Sequence, residues 1–200
     1  MKQRLVLVRH ADTVAKNNSL VGKNDLPLSK KGMEDATRMR EKISIENPDV
    51  HFYSSTLSRA IQTGEILFPG KHFSRHPEID EVDFGQWSGM DVSEISGKYP
   101  EEMDKWSKNP MSFQFPGGES VATFILRINN FVESEVLPKA NPCVVVCHGG
   151  SIRFIICRML NLDYTHHLAF VIHRPSLIVI DHDGKSGVLS GLNVNELSLS

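Results

Sequence analysis

The sequence is poor in cysteine, in long apolar runs and in surplus positive charge, and each shortage excludes a class of protein. Only Cys143, Cys147 and Cys157 occur among 200 residues. A small, odd number fits no disulfide framework and suits reduced thiols, so a cytoplasmic location is expected. Apolar runs are only a few residues long, as in Leu5-Val6-Leu7-Val8 and Leu177-Ile178-Val179-Ile180. A membrane-spanning helix needs about 18 or more, so no membrane partner is expected. Met1-Lys2-Gln3-Arg4 leads straight into a strand-like run, without the pattern of a secretory signal. The formal charge is −2, so no overall field draws the chain to nucleic acid. Lys30-Lys31 and Arg38-Met39-Arg40 read as a solvated helix face. What is present is ordinary globular composition, 40% apolar and 23% charged, with no repeat or linker. One domain over residues 1–200 is expected.

Two short, nearly continuous apolar runs, Arg4 to Arg9 and Cys143 to Cys147, read as strands buried on both faces of a sheet. His51 to Ser54 reads as a third. Helical patterns lie between: one capped by Ser29 and running to about Lys42, then Thr56 to about Leu67, Glu119 to about Leu137, and Ser151 to Leu160. Leu168 to Ile180 and Gly187 to Asn193 read as a hairpin turning at Asp183-Gly184. Alternating strands and helices predict an α/β three-layer sandwich, with a mostly parallel central sheet and helices on both faces. The irregular stretch from about 84 to 116, with its glycines, prolines and both tryptophans, predicts a small helical insertion over a site.

Three strand ends carry polar residues: Arg9-His10, Ser54 to Arg59, and Cys147-His148-Gly149-Gly150. In α/β sheets the carboxyl ends of the strands form the ligand crevice. If these strands are neighbours, Arg9, His10, Arg59 and His148 converge. Two guanidiniums and two imidazoles repel one another unless a dianion sits between them, and the planar arginine fork suits phosphate oxygens. A phosphate ester also needs an acid for its leaving oxygen. Glu78, Asp80, Glu81 and Asp83 are available beside Phe84 and Trp87, and residue type alone does not choose among them.

In order along the chain these segments resemble the histidine phosphatase superfamily, the phosphoglycerate-mutase-like proteins. Leu7 to Thr13 resembles the family's Arg-His-Gly-Glu-Thr element, and Gly22 to Gly32 the next loop and helix start. Ser54 to Thr63 matches the second arginine segment; Glu81, Phe84-Gly85, Trp87 and Gly89 match the acid loop. Pro116 to Ser120 matches the start of the long helix, and Val145 to Arg153 the second histidine. The resemblance implies hydrolysis of a small-molecule phosphomonoester through a phosphohistidine, with no cofactor and no metal. His10 would be the nucleophile; Arg9, Arg59 and His148 would hold the phosphoryl oxygens; Glu81 would be acid and then base. Gly22 and Gly149 would join the phosphate-binding wall. Ala11 stands where the family usually has glycine. Lys16 stands where many members have a phosphate-binding asparagine, with Asn17 one residue later, so either could supply that donor.

Length, the Phe84-Gly85-x-Trp87 element and Pro116 to Ser120 look most like the alpha-ribazole and broad-specificity phosphatase branch, which would place the enzyme in cobalamin biosynthesis with alpha-ribazole 5′-phosphate as substrate. A phosphoglycerate mutase-type transfer is the alternative. Others also stand. Cys147-x5-Arg153 fits the loop of cysteine-dependent phosphatases. The same basic pocket could bind a phosphorylated ligand without catalysis. His166, His167, His173, His182, Asp181 and Asp183 are dense enough to raise a metal site, though they read more simply as surface residues. An exposed sheet edge or the insertion would serve a homodimer.

Overall fold

The structure is a computed structural model that describes residues 3–199. Its strands are β1 (Gln3–Arg9), β2 (Ile43–Ile45), β3 (His51–Ser54), β4 (Ser74–Arg75), β5 (Cys143–Cys147), β6 (Ser176–His182), β7 (Gly187–Val194) and β8 (Leu197–Leu199). Its α-helices are α1 (Lys30–Arg40), α2 (Ser58–Leu67), α3 (Val92–Lys98), α4 (Pro100–Lys108), α5 (Val121–Phe131) and α6 (Gly149–Met159). Six strands form one sheet in the order β4-β3-β5-β1-β6-β7. β4, β3, β5 and β1 run parallel, while β6 and β7 are antiparallel additions at one edge. The three-layer α/β sandwich with a mostly parallel sheet is therefore what the chain forms.

Strand alternation shows why the runs are continuous. Leu5 and Leu7 of β1, with Val145 of β5, pack into one core beneath α5 and α6, against Phe124, Ile128, Ile152 and Ile155. Val6 and Val8, with Val144 and Val146, face the opposite core beneath α1 and α2, against Ala36, Met39, Ala60 and Leu67. Both sides of each pleat are thus removed from water, and each buried Val or Leu contributes about 1.5–3 kcal/mol. The helix starts follow their caps: the Ser29 side chain accepts from Gly32 N, and that of Ser120 from Thr123 N.

Residues 84–116 hold 3₁₀ turns at Gly85–Trp87 and Pro110–Ser112 with α3 and α4 between them. Trp87 is fully buried and packs against Trp106, Phe113 and Phe115, so much of the aromatic content there builds an internal core. At the C-terminal side the expectation needs correction. The hairpin turn at Asp183-Gly184 is present, but 168–175 is not strand: Asp163 caps a 3₁₀ helix at Tyr164–Ala169, and β6 begins only at Ser176. The described residues also include a small parallel pair, β2 with β8, that the sequence reading did not foresee.

Candidate active site

β3, β5 and β1 are adjacent and parallel, with Arg9 opposite Cys147 and Ser54 opposite Val146. The residues just past these ends, His10, Ser55 and His148, therefore emerge side by side. His10 N donates to Cys147 O at 3.0 Å, and Ser55 N to Val146 O at 2.9 Å, prolonging the ladder by one step. The His10 and His148 rings lie 5.1 Å apart. Arg59, in the first turn of α2, reaches across, with its Nε donating to His148 Nδ1 at 3.2 Å. Its other nitrogens donate to Asn24 O and Gly22 O at 2.8 and 2.7 Å, which fixes the plane of the guanidinium. Gly22 supplies that carbonyl from a left-handed φ of +56°, where a Cβ would stand 2.7 Å from Val82 O.

Arg9 closes the ring. Its guanidinium lies where a Cβ on Gly149 would meet it at 3.1–3.2 Å, so a side chain there would press the guanidinium aside by a few tenths of an ångström. It donates to Ile172 O through Nη1, and its Nε is buried with no partner among the described residues. Burial, reinforced by Arg174, lowers Arg9 to about 10, which still leaves it cationic near neutral pH.

Hydrogen bonding fixes the imidazole tautomers. The Ala11 carbonyl can only accept, so His10 Nδ1, 2.7 Å away, carries the proton. That leaves the lone pair on Nε2. Arg59 Nε can only donate, so His148 Nδ1 is the acceptor and Nε2 carries hydrogen, donated to Ser55 Oγ at 2.7 Å. Burial, then the positive charge of Arg59, holds both imidazoles well below the usual histidine range. Both are neutral near pH 7.

Glu81 enters from the loop before residue 84. Its Oε2 accepts from Gly150 N at 3.0 Å and Oε1 from Val82 N at 3.1 Å. Arg127 ties the loop down, donating to the carbonyls of Glu78, Asp80 and Glu81 while pairing with Glu119 at 2.7 Å. Neighbouring Asp80 is directed elsewhere, into hydrogen bonds with Ser55 and Thr56. The two carboxylates are thus separated by side-chain direction, which residue type alone did not reveal.

Arg9, His10, Arg59 and Glu81 line a cavity of about 400 Å³, while His148 is wholly buried and meets it through its hydrogen bond with Arg59. Gly22, Asn17 and Gly149 also line it. Lys16 lies there too, but its ammonium pairs with Asp91 and Glu94 at 2.9 and 3.1 Å. Its charge is therefore directed at the start of α3 rather than at the floor. The outer wall is apolar, with Phe84, Trp106, Met111, Phe115 and Phe124. Arg153 and Arg174 also line the cavity, and neither was counted in the cationic cup from sequence. Arg174 follows from sheet topology: Ser176 at the start of β6 is opposite Arg9, so the residues just before it stand beside the cup.

The cysteine reading fails. Cys147 is fully buried in β5, and burial pushes its thiol far up, so no thiolate faces the cavity. Arg153 Nε donates to Phe170 O. His166 and His167 bond to the carbonyls of Asp163 and Tyr164, and His167 stacks on Phe154. Among the described residues no group of His, Cys, Asp and Glu is arranged to hold a metal, and no helix is long and apolar enough to cross a membrane.

Comparison with known proteins gives a consistent account. The chain is 33% identical over 198 residues to phosphoserine phosphatase 1 of Hydrogenobacter thermophilus, covering 96% of this chain and 92% of that one. It is 30% identical over 200 residues to a 2,3-bisphosphoglycerate-dependent phosphoglycerate mutase of Parvibaculum lavamentivorans, covering 94% and 95%. A solved putative alpha-ribazole-5′-P phosphatase from Escherichia coli superposes over all of both chains with a TM-score of 0.88 at 23% identity, a likeness of fold. The sequence profile of the histidine phosphatase superfamily, branch 1, matches residues 5–195, and the chain belongs to that family.

Proposed function

We infer that the protein hydrolyses small phosphomonoesters through a phosphohistidine at His10. The observation that carries this is the His10 tautomer: Nδ1 is committed to the Ala11 carbonyl, and burial keeps the ring neutral, so Nε2 is a free lone pair beside two guanidiniums. In the first step Nε2 bonds to phosphorus as the ester P–O bond breaks, and Glu81 in its acid form gives its proton to the leaving oxygen. Arg9, Arg59 and His148 hold the non-bridging oxygens and stabilise the charge spread over them. Gly22, Asn17 and Gly149 complete the wall around them. In the second step water attacks phosphorus, the Glu81 carboxylate takes its proton, and the N–P bond breaks to release phosphate.

The apolar outer wall favours an ester with a sizeable organic part. Alpha-ribazole 5′-phosphate has that character, and a place in cobalamin assembly rests on it. A second reading, phosphoryl transfer of the mutase type, draws on Arg153 and Arg174, which supply positive charge for a second anionic group. Steady-state kcat/KM across alpha-ribazole 5′-phosphate, phosphoserine, 4-nitrophenyl phosphate, and 3-phosphoglycerate with its bisphosphate separates them. Free phosphate release from the monoesters supports hydrolysis. Exchange between glycerate phosphates without phosphate release overturns it.

A further inference from the structure

The cup contains a buried chain of hydrogen bonds that the two-step mechanism does not use. Asp80 is 5% exposed, yet its carboxylate only accepts: from Ser55 Oγ at 2.6 Å, from Thr56 N at 2.8 Å, and from Thr56 Oγ1 at 2.8 and 3.0 Å. Ser55, wholly buried, gives its only proton to Asp80 and accepts from Leu57 N and His148 Nε2. The donors therefore run in one direction, from Arg59 Nε to His148, from His148 to Ser55, and from Ser55 to Asp80. A chain with a cation at one end and a carboxylate at the other leaves each link one arrangement of protons.

That arrangement raises a problem for phosphate. His148 Nδ1 presents a lone pair, which cannot donate to a phosphoryl oxygen. A proton there would face the Arg59 Nε–H unless an anion lay between the two. We propose that Asp80, acting through Ser55, is a positioning residue that lets His148 take up a proton at Nδ1 when a phosphoryl dianion binds. His148 then donates twice, from Nε2 to Ser55 and from Nδ1 to the anion, while Arg59 Nε turns its hydrogen bond to the same anion. The proton comes from solvent, or from the ester itself when it binds as the monoanion. The titratable groups that act most strongly on His148 are Arg59 of α2, His10 and Arg9 at the end of β1, and Arg127 of α5. All but the neutral His10 are cations that oppose protonation, so a buried negative end to the chain is what offsets them, together with the incoming dianion. The proposal rests on the phosphate-cup reading of the site.

Tungstate tests it, because it stays a dianion near neutral pH and any proton taken up belongs to the protein. Calorimetry at pH 8 in buffers of different ionisation enthalpy should show uptake of about one proton per tungstate bound by the wild type. Asp80→Asn keeps the shape and removes the charge. It should reduce the uptake and move the alkaline limb of kcat, which reports the substrate complex, down by roughly one pH unit. Ser55→Ala breaks the link with Asp80 in place and should shift both readouts the same way. Thr56→Val removes an Asp80 contact off the chain and should keep the wild-type profile. Wild-type binding without proton uptake overturns the proposal. So do unchanged uptake and profile in both Asp80→Asn and Ser55→Ala, or an equal shift in Thr56→Val. Proton-linked binding in a protein that hydrolyses no ester sustains the chain while ending the phosphatase reading. A wild type that binds no tungstate ends both.

Discussion

Glu81 Oε1 lies 2.2 Å from where a Cβ on Gly150 would stand, while Glu81 Oε2 accepts from Gly150 N at 3.0 Å. Residue 150 therefore both places the carboxylate and has no room for a side chain. Gly150→Ala must displace Glu81, and loss of a positioned general acid lowers turnover by about 10²–10⁴-fold. The Arg9, Arg59 and His148 contacts do not pass through Gly150, so tungstate affinity should stay near that of the wild type. A Gly150→Ala enzyme with full kcat would remove Glu81 from the acid role.

Nucleophile identity is tested by two substitutions. His10→Ala should abolish acid-labile phosphoenzyme and reduce kcat by about 10³-fold or more, while still binding tungstate. Cys147→Ser should leave turnover close to wild type, because the thiol is enclosed in β5 with its ionisation suppressed by burial. Mass spectrometry of rapidly quenched enzyme checks both. A phosphorylated peptide carrying residue 147 rather than residue 10 would reverse the assignment.

Much of this site was legible because its parts follow buried strands. Leu5 to Val8 and Cys143 to Cys147 are continuous apolar runs only because both faces are covered, and that places His10 and His148 at adjacent strand ends. Other features had no local signal. Lys16 stands where the resemblance places a phosphate-binding asparagine, yet its partners Asp91 and Glu94 lie about 75 residues on, and only folding brings them together. Arg174 belongs to the site through the antiparallel pairing of β6 with β1. The apolar stretch from Leu168 read as strand, but the Asp163 side chain, bonded to Thr165 N and Oγ1, starts a 3₁₀ helix just upstream. β4 is two exposed residues and β2 three, too short for any alternation to register.

Stability should depend on acid through the buried imidazoles. His10 and His148 are held well below the usual histidine value, first by burial and then by Arg59. The unfolded chain therefore binds more protons than the folded one below about pH 6.5. Stability is fully present above that pH and falls as pH drops toward the folded-state values, by roughly 1.4 kcal/mol per pH unit for each imidazole. His167 and His182 are lowered by burial and act in the same direction. Urea midpoints between about pH 4.5 and 6.5, above the main carboxylate range, should decline steadily. His148→Asn should flatten the slope by one residue's share. An unaltered slope would mean that His148 is already charged in the folded protein.

Arg174 offers the clearest separation of substrate classes. Its nearest carboxylate is Asp12, with 3.8 Å between Nη1 and Oδ1, and Asp12 also accepts from Ser29 Oγ at 3.1 Å. That is a loose pair, and the Arg174 side chain keeps 38% of its exposure. A guanidinium so lightly held beside Arg9 can turn to a second anionic group on a substrate. A hydrogen bond to a charged group is worth about 1.5–3 kcal/mol, or roughly 10- to 100-fold. Arg174→Ala should therefore weaken kcat/KM for phosphoserine by at least about tenfold and for 4-nitrophenyl phosphate far less, since the latter has no second anion. Equal losses on both esters would place Arg174 on the transferring phosphoryl group, with Arg9 and Arg59. Removing this cation also eases the pressure that keeps His10 neutral, so the acid limb of kcat/KM should move to higher pH in the variant. An acid limb moving the other way would show that Arg174 does not act on His10.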